Sequence, residues 1–160
     1  MNGKHFLLNL LLCIVICQLA GFIGSQFTRP AIPAWYENLN QPSFRPPNWV
    51  FAPVWITLYL LMGISAALVW NKVASLPLAW TAFSAFGLQL LLNVLWSAAF
   101  FGLRSPLAGM VVILPLLAAI LWMIAAFHGI SPAAAYLQIP YALWVAFASV
   151  LNLSFVILNR

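Results

Sequence analysis

The sequence carries very little charge. Its 160 residues include six Lys or Arg and one Asp or Glu, so 4% are charged, against about 25% in ordinary soluble domains. Hydrophobic residues make up 66% of the chain. This composition excludes a soluble domain and indicates an integral membrane protein, because the uncharged runs are long enough to cross a bilayer that needs about 20 apolar residues.

The shortage of reactive side chains excludes several kinds of site. Glu37 is the only acid, so no Ser-His-Asp combination can form, and no His, Cys, Asp and Glu set has metal-ligand spacing. No Gly-rich phosphate loop is present. The isolated cations do not form the cluster that follows nucleic-acid phosphates. Cys13 and Cys17, four residues apart on one helix face, are interpreted as packing residues rather than as a disulfide or metal site.

The seven charged residues divide the chain into long apolar runs, and the motifs His128-Gly129 and Ser131-Pro132 divide the last of these runs in two. These runs predict an all-α integral membrane protein, a five-transmembrane-helix bundle, as one domain over 1–160 with helices at about 6–25, 50–70, 76–101, 106–127 and 132–158. No charged residue lies inside a predicted span, which argues against ion-coupled transport.

One long loop, predicted at 26–49 between the first two helices, is the first functional candidate. It contains five prolines together with Trp35 and Trp49, whose indole rings are costly to leave in water. We expect these rings to pack on the bilayer interface or on the end of the bundle, so that the loop forms a lid. A plain solvated linker is the alternative.

Three helices carry a stripe of aromatic and neutral polar residues at helical spacing. In chain order the stripes are Trp55, Tyr59, Met62 and Ala66; Gln89, Asn93, Trp96 and Phe100; and Tyr141, Trp144, Ala148 and Asn152. Carboxamides inside hydrocarbon need partners, either on other helices or on a ligand. Such surfaces suit a flat apolar ligand held by stacking and a few hydrogen bonds.

The residues also resemble a known family. The matching blocks are Leu19-Ala20-Gly21-Phe22, Trp35-Tyr36, Pro42-Ser43-Phe44, Pro46-Pro47, Pro53-Val54-Trp55, Leu58-Tyr59, Met62-Gly63, Leu92-Asn93, Phe100-Phe101-Gly102 and Leu151-Asn152. They resemble the tryptophan-rich sensory protein and translocator protein family, also called the peripheral benzodiazepine receptor, over nearly the whole chain.

This resemblance implies a homodimer of five-helix bundles with a ligand pocket under the first loop. It implies binding of porphyrins such as protoporphyrin IX and haem, of sterol, and of isoquinoline carboxamide or benzodiazepine ligands, with no covalently bound cofactor. The residues that match the family's pocket are Trp55, Asn93, Trp144 and Ala148. In bacterial members the two tryptophans are linked to light-dependent breakdown of protoporphyrin, so they would be the catalytic pair here.

The loop tryptophans, the stripes and the resemblance together give one predicted ligand-binding set. Its members are Trp35, Trp49, Trp55, Tyr59, Gln89, Asn93, Trp96, Phe100, Tyr141, Trp144 and Ala148. Three functions fit this set: a porphyrin sensor or regulator, a photo-oxidative enzyme that degrades porphyrin through Trp55 and Trp144, and a passive carrier of tetrapyrroles or sterols. No metal site is predicted.

Departures from the animal members favour a bacterial-type protein. Ala108 and Val112 stand where animal members have tryptophan and aspartate, and Leu153 stands where their cholesterol-recognition pattern continues towards a basic residue. We therefore expect the bacterial cell membrane, or the mitochondrial outer membrane in a eukaryotic host. Four arginines against two lysines place the first loop and the C-terminus in the cytoplasm.

Overall fold

Five helical segments are long and apolar enough to cross a membrane. The computed structural model describes residues 3–73 and 75–160, and no β-strand occurs within those ranges. The segments are His5–Ala34, Asn48–Lys72, Leu76–Gly102, Pro106–His128 and Pro132–Leu158. The predicted all-α bundle of five transmembrane helices is therefore confirmed.

The helices are named α1 to α6 in chain order. Their bounds are Gly3–Ala34 for α1, Asn48–Lys72 for α2, Leu76–Ser97 for α3, Pro106–His128 for α4, Pro132–Tyr136 for α5 and Ile139–Leu158 for α6. A π-helical turn, Ala98–Gly102, continues α3, and a 3-10 turn, Tyr36–Asn38, lies in the loop after α1.

The helices close into a ring in the order α1, α2, α5 with α6, α4 and α3. The most extensive contacts join α1 to α2, α3 to α4, and α4 to α6. Fully buried side chains such as Met62, Ile120, Met123 and Phe127 fill the interior. We call the end where α1 finishes and α2 starts the lid end.

The first helix is longer than the sequence predicted. The predicted boundary at residue 25 and the predicted loop at 26–49 are wrong, because α1 continues to Ala34 and contains Pro30 and Pro33. Each proline removes one backbone donor and frees a carbonyl four residues earlier. Both prolines are exposed, so these carbonyls lie in an accessible part of the last turns. The loop therefore shrinks to residues 35–47, and Arg29 moves from the loop onto the helix.

The fifth span consists of two helices rather than one. The single predicted helix 132–158 is interrupted at Leu137 and Gln138, which separate α5 from α6. Pro140 has no N–H to give to the carbonyl of Tyr136, so a continuous α-helical ladder cannot form there. The Gln138 N–H instead bonds the carbonyl of Ala135, three residues back, at 3.0 Å.

The loop at the lid end is fastened to the bundle. The side chain of Asn159, just beyond α6, accepts from the Asn40 N–H at 2.8 Å and donates to the Asn40 carbonyl at 3.0 Å. The guanidinium of Arg45 lies 5.6 Å from the ring centre of Tyr36, within cation–π range. Burial raises the pKa of Tyr36 above its ordinary value, although Arg45 acts in the opposite direction. The Tyr36 hydroxyl is therefore neutral at physiological pH.

Gly63 lets α1 and α2 approach closely. A Cβ atom at this position would lie 2.6 Å from the Cα atom of Ile14, a distance that requires the backbone to shift. Gly63 and Ala67, like Ala98 and Gly102, have the small-residue spacing of helix interfaces. Gly63 and Ala67 are both buried within the bundle, so their contact is internal.

Gly63→Ala is therefore expected to lower the free energy of unfolding by about 1–3 kcal/mol, the usual cost of overpacking. The measurement is the thermal unfolding midpoint in detergent. Gly87→Ala is the matched control, because a Cβ there meets nothing within 4 Å. It should leave stability unchanged or raise it by up to about 1 kcal/mol. Equal midpoints for Gly63→Ala and the wild type would contradict the close helix contact.

Candidate functional site

A cavity of about 410 Å³ lies at the lid end of the bundle. Its walls come from α1, α2, α3, the π-turn and α6, and Tyr36 of the loop also lines it. The volume lies within the range of pockets that hold drug-sized ligands, about 300–1,000 Å³. Phe22 and Ile56 line it while each remains 59% exposed, so the cavity also opens sideways between α1 and α2.

One wall of the cavity is a run of three neighbouring aromatic rings. The ring planes of Trp55 and Trp96 meet at 32° with their centres 6.4 Å apart. Trp96 in turn stacks on Phe100 at 5.6 Å and 30°. Rings separated by such distances attract one another in offset geometry. Trp55, Trp96 and Phe100 therefore form one continuous aromatic surface of the cavity, which we call the aromatic wall.

Beside the aromatic wall, a carboxamide joins three helices. The hydroxyl of Tyr59 donates to Asn93 Oδ1 at 2.5 Å, and Asn93 Nδ2 donates to the hydroxyl oxygen of Tyr141 at 2.7 Å. All three side chains are buried. The bonds connect α2, α3 and α6 where a carboxamide without partners would be costly. The interhelical role that the sequence left open for Asn93 is thus present, while Asn93 and Tyr59 also line the cavity.

Asn152 makes a second polar connection. Its Oδ1 accepts from the indole Nε1 of Trp96 at 3.2 Å, and its Nδ2 donates to the carbonyl of Pro106 at 2.7 Å. The Pro106 carbonyl belongs to the first turn of α4. The bond from Asn152 fixes the orientation of the Trp96 ring, and so Asn152 positions part of the aromatic wall.

The π-helical turn places two consecutive phenylalanines at the cavity. The Leu103 N–H bonds the Ala98 carbonyl at 2.8 Å, and the Ser105 N–H bonds the Phe100 carbonyl at 3.1 Å, both five residues back. π-turns within helices frequently occur at functional sites. Here both Phe100 and Phe101 line the cavity, with their ring centres 4.8 Å apart.

The sequence reasoning missed the contribution of α1. Gln18, Gly21, Ser25, Thr28 and Arg29 recur on one face of this helix and all line the cavity. The polar part of this face is visible in the sequence, where Gln18, Gly21 and Ser25 recur at helical spacing. A polar face that continues as far as a cation could have indicated an accessible cavity.

The predicted ligand-binding residues separate into two groups. Seven line the cavity: Trp55, Tyr59, Asn93, Trp96, Phe100, Trp144 and Ala148. Tyr141 lies behind them, 6.3 Å from Trp55 between ring centres and bonded to Asn93. The structure does not bring Trp35, Trp49 or Gln89 to the cavity lining.

Each residue outside the lining has a different position. Trp35 packs edge-on against Phe100 with 5.5 Å between ring centres. Trp49 lies in the first turn of α2 and is 75% exposed, as expected for a ring at the bilayer interface. Gln89 is fully buried, and its Nε2 lies 3.9 Å from the sulfur of Met62.

The sequence from residue 13 to residue 158 matches the profile of the TspO/MBR family. This match covers most of the chain and every helix that lines the cavity. The chain belongs to the TspO/MBR family.

Relatives within the TspO/MBR family resemble the chain over most of its length. The tryptophan-rich protein TspO of Chlorobaculum tepidum is 42% identical over 153 residues, which cover 96% of this chain and 97% of the relative. The protein of the same name from Archaeoglobus fulgidus is 40% identical over 96% of this chain and 98% of its own. The human translocator protein is 38% identical over 84% of this chain and 80% of its own.

Membership of the TspO/MBR family makes the chain a tryptophan-rich, multi-pass membrane protein related to proteins named as sensory or translocator proteins. Both tryptophans of the photo-oxidative hypothesis, Trp55 and Trp144, line the cavity. Their catalytic role stays a prediction. Within residues 3–73 and 75–160 no group of three His, Cys, Asp or Glu side chains is placed to hold a metal ion.

Proposed function

We propose that the protein is a membrane sensor or regulator that binds porphyrins, protoporphyrin IX or haem, in the cavity at the lid end. The observation that carries this proposal is the aromatic wall, in which Trp96 lies next to both Trp55 and Phe100, with interplanar angles of 32° and 30°. A tetrapyrrole is flat and aromatic, so it would stack on this wall.

The polar groups of the site support a ligand with few hydrogen bonds. The amide groups of Asn93 and Asn152 already form hydrogen bonds within the protein, to Tyr59, Tyr141, Trp96 and the Pro106 carbonyl. Stacking and apolar contact would therefore provide most of the affinity deep in the cavity. The same features suit isoquinoline carboxamide, benzodiazepine and sterol ligands, which are included in the proposal as weaker candidates.

The membrane and its orientation are part of the proposal. The arginines at positions 29, 45, 104 and 160 all belong to the lid end, whereas Lys72 ends α2 at the other end of the bundle. Cationic residues concentrate on the cytoplasmic side of membrane proteins. We therefore assign the lid and the C-terminus to the cytoplasmic side of a bacterial cell membrane. The proposal also includes that the chain acts as a homodimer.

The test is a titration of the purified protein with protoporphyrin IX, followed by quenching of tryptophan fluorescence and by the porphyrin absorbance band. Saturable binding is expected, and Trp55→Phe and Trp144→Phe should each weaken it by about 2- to 10-fold, the value of one aromatic contact.

Trp80→Phe and Trp122→Phe provide matched controls, because these indoles are 73% and 45% exposed on the outside of the bundle. Their affinities should equal that of the wild type. Binding that does not saturate, or equal losses in all four variants, would argue against this site.

A further inference from the structure

The cavity carries a cation at its mouth. Among the described lining residues, Arg29 is the only charged side chain. It lies on the last part of α1, which the sequence had assigned to the loop, and its side chain is exposed. The deeper lining consists of aromatic, aliphatic and neutral polar groups.

Contacts between α1 and the end of α3 show how far along the bundle axis Arg29 lies from the aromatic wall. A Cβ on Gly24 would lie 3.1 Å from Ser97 Oγ, and a Cβ on Gly102 would lie 3.1 Å from the ring of Phe27. The α1 segment from Gly24 to Phe27 is therefore level with the π-turn. Arg29 lies about 3 Å further along the axis, by the rise of a helix, and so above the aromatic wall.

The other groups near the mouth already have partners. Arg45 contacts Asn48 Oδ1 and the ring of Tyr36. Glu37, the single acid of the chain, accepts from Asn48 Nδ2 at 3.0 Å. Within residues 3–73 and 75–160, Arg29 makes no side-chain hydrogen bond and no ion pair, so its five donors remain available.

A cation beside a largely apolar cavity favours one class of ligand. The low-dielectric walls of a cleft focus the field of a nearby charge, so the field of Arg29 reaches into the mouth. The guanidinium matches a carboxylate with two parallel hydrogen bonds. The complementary ligand is an amphiphile with a flat apolar body and an acidic group at one edge.

We propose that Arg29 selects ligands with an acidic edge and holds their carboxylate at the cavity mouth, with the flat body on the aromatic wall. This inference rests on the proposed function and adds the orientation and the ionic state of the ligand. It also assigns Arg29 a role beyond the membrane orientation for which the arginines were used in the sequence analysis.

The experiment compares protoporphyrin IX, which has two propionate groups, with its dimethyl ester in phosphatidylcholine nanodiscs. The readout is the porphyrin absorbance band at equilibrium. The wild type should bind the acid about 10-fold or more tightly than the ester, as expected for a charge-assisted bond. Arg29→Gln should reduce acid binding to the level of the ester and leave ester binding unchanged.

Two further variants separate the role of charge at this position from other effects. Arg29→Lys should retain most of the preference for the acid, because it keeps the charge. Arg160→Gln removes one arginine from the same end of the protein, outside the cavity lining, and should retain the full preference.

Different failures have different meanings. If neither ligand binds saturably to the wild type, the proposed function is wrong. If both bind and the wild type does not distinguish them, the inference about Arg29 is overturned and the proposed function stands. This second result is also expected if Arg29 binds a lipid phosphate instead. An unchanged acid preference in Arg29→Gln would equally overturn the inference.

Discussion

Replacing Asn93 with leucine is expected to lower the free energy of unfolding by about 2–6 kcal/mol. Asn93 accepts from Tyr59 at 2.5 Å and donates to Tyr141 at 2.7 Å, and the three side chains are at most 5% exposed. Leucine has a similar size but offers neither bond. Two buried hydroxyls are left unpaired, each at a cost of about 1–3 kcal/mol. Equilibrium unfolding in mixed detergent micelles measures the change.

A triple variant tests whether the unpaired hydroxyls cause this loss. Tyr59→Phe and Tyr141→Phe, combined with Asn93→Leu, remove every polar atom of the connection. Replacing all partners with apolar groups of similar shape is often nearly neutral. The triple variant should therefore recover at least half of the stability that Asn93→Leu loses. If it is less stable than Asn93→Leu alone, packing rather than hydrogen bonding explains the effect.

The membrane spans could be predicted because charge is scarce in this chain. Each of the five apolar runs ends near a Lys, an Arg or a helix-terminating motif, and the last four observed spans agree with the predicted ones to within about two residues at each end. The end of α1 could not be found in this way. Pro30 and Pro33 normally indicate a loop, but near the exposed end of a helix they are tolerated. The longer helix is what brings Arg29 to the cavity.

The cavity was predicted in part because three of its walls have helical periodicity. Trp55, Asn93 and Trp144 stand on stripes that the sequence shows, and all three line the cavity. Periodicity predicts which face of a helix is turned towards the interior, but it does not predict which turns of that face line the cavity. Gln89 shares the stripe of Asn93 one turn away, yet it lies outside the lining. Only the packing of neighbouring helices decides which turn faces open space.

Filling the cavity is expected to weaken porphyrin binding strongly without unfolding the protein. Ala148 lines the cavity on α6, one turn beyond Trp144, and is half-buried. An indole at this position would occupy space that the ligand needs beside the aromatic wall. Overpacking a filled site costs about 1–3 kcal/mol, so Ala148→Trp should weaken protoporphyrin binding by up to about 100-fold. The porphyrin absorbance band measures this loss, because the new tryptophan would complicate a fluorescence titration.

The matched control for Ala148→Trp is Val150→Trp, which adds an indole to the same helix on its outward side, where Val150 is 57% exposed. The control variant should bind like the wild type, and both variants should retain the thermal midpoint to within a few degrees. The ester should lose affinity in Ala148→Trp as the acid does, since the obstruction acts on the flat body of the ligand. Arg29→Gln, by contrast, should affect the acid alone. A folded Ala148→Trp protein that binds within about threefold of the wild type, a difference below 1 kcal/mol, would place the porphyrin outside this cavity.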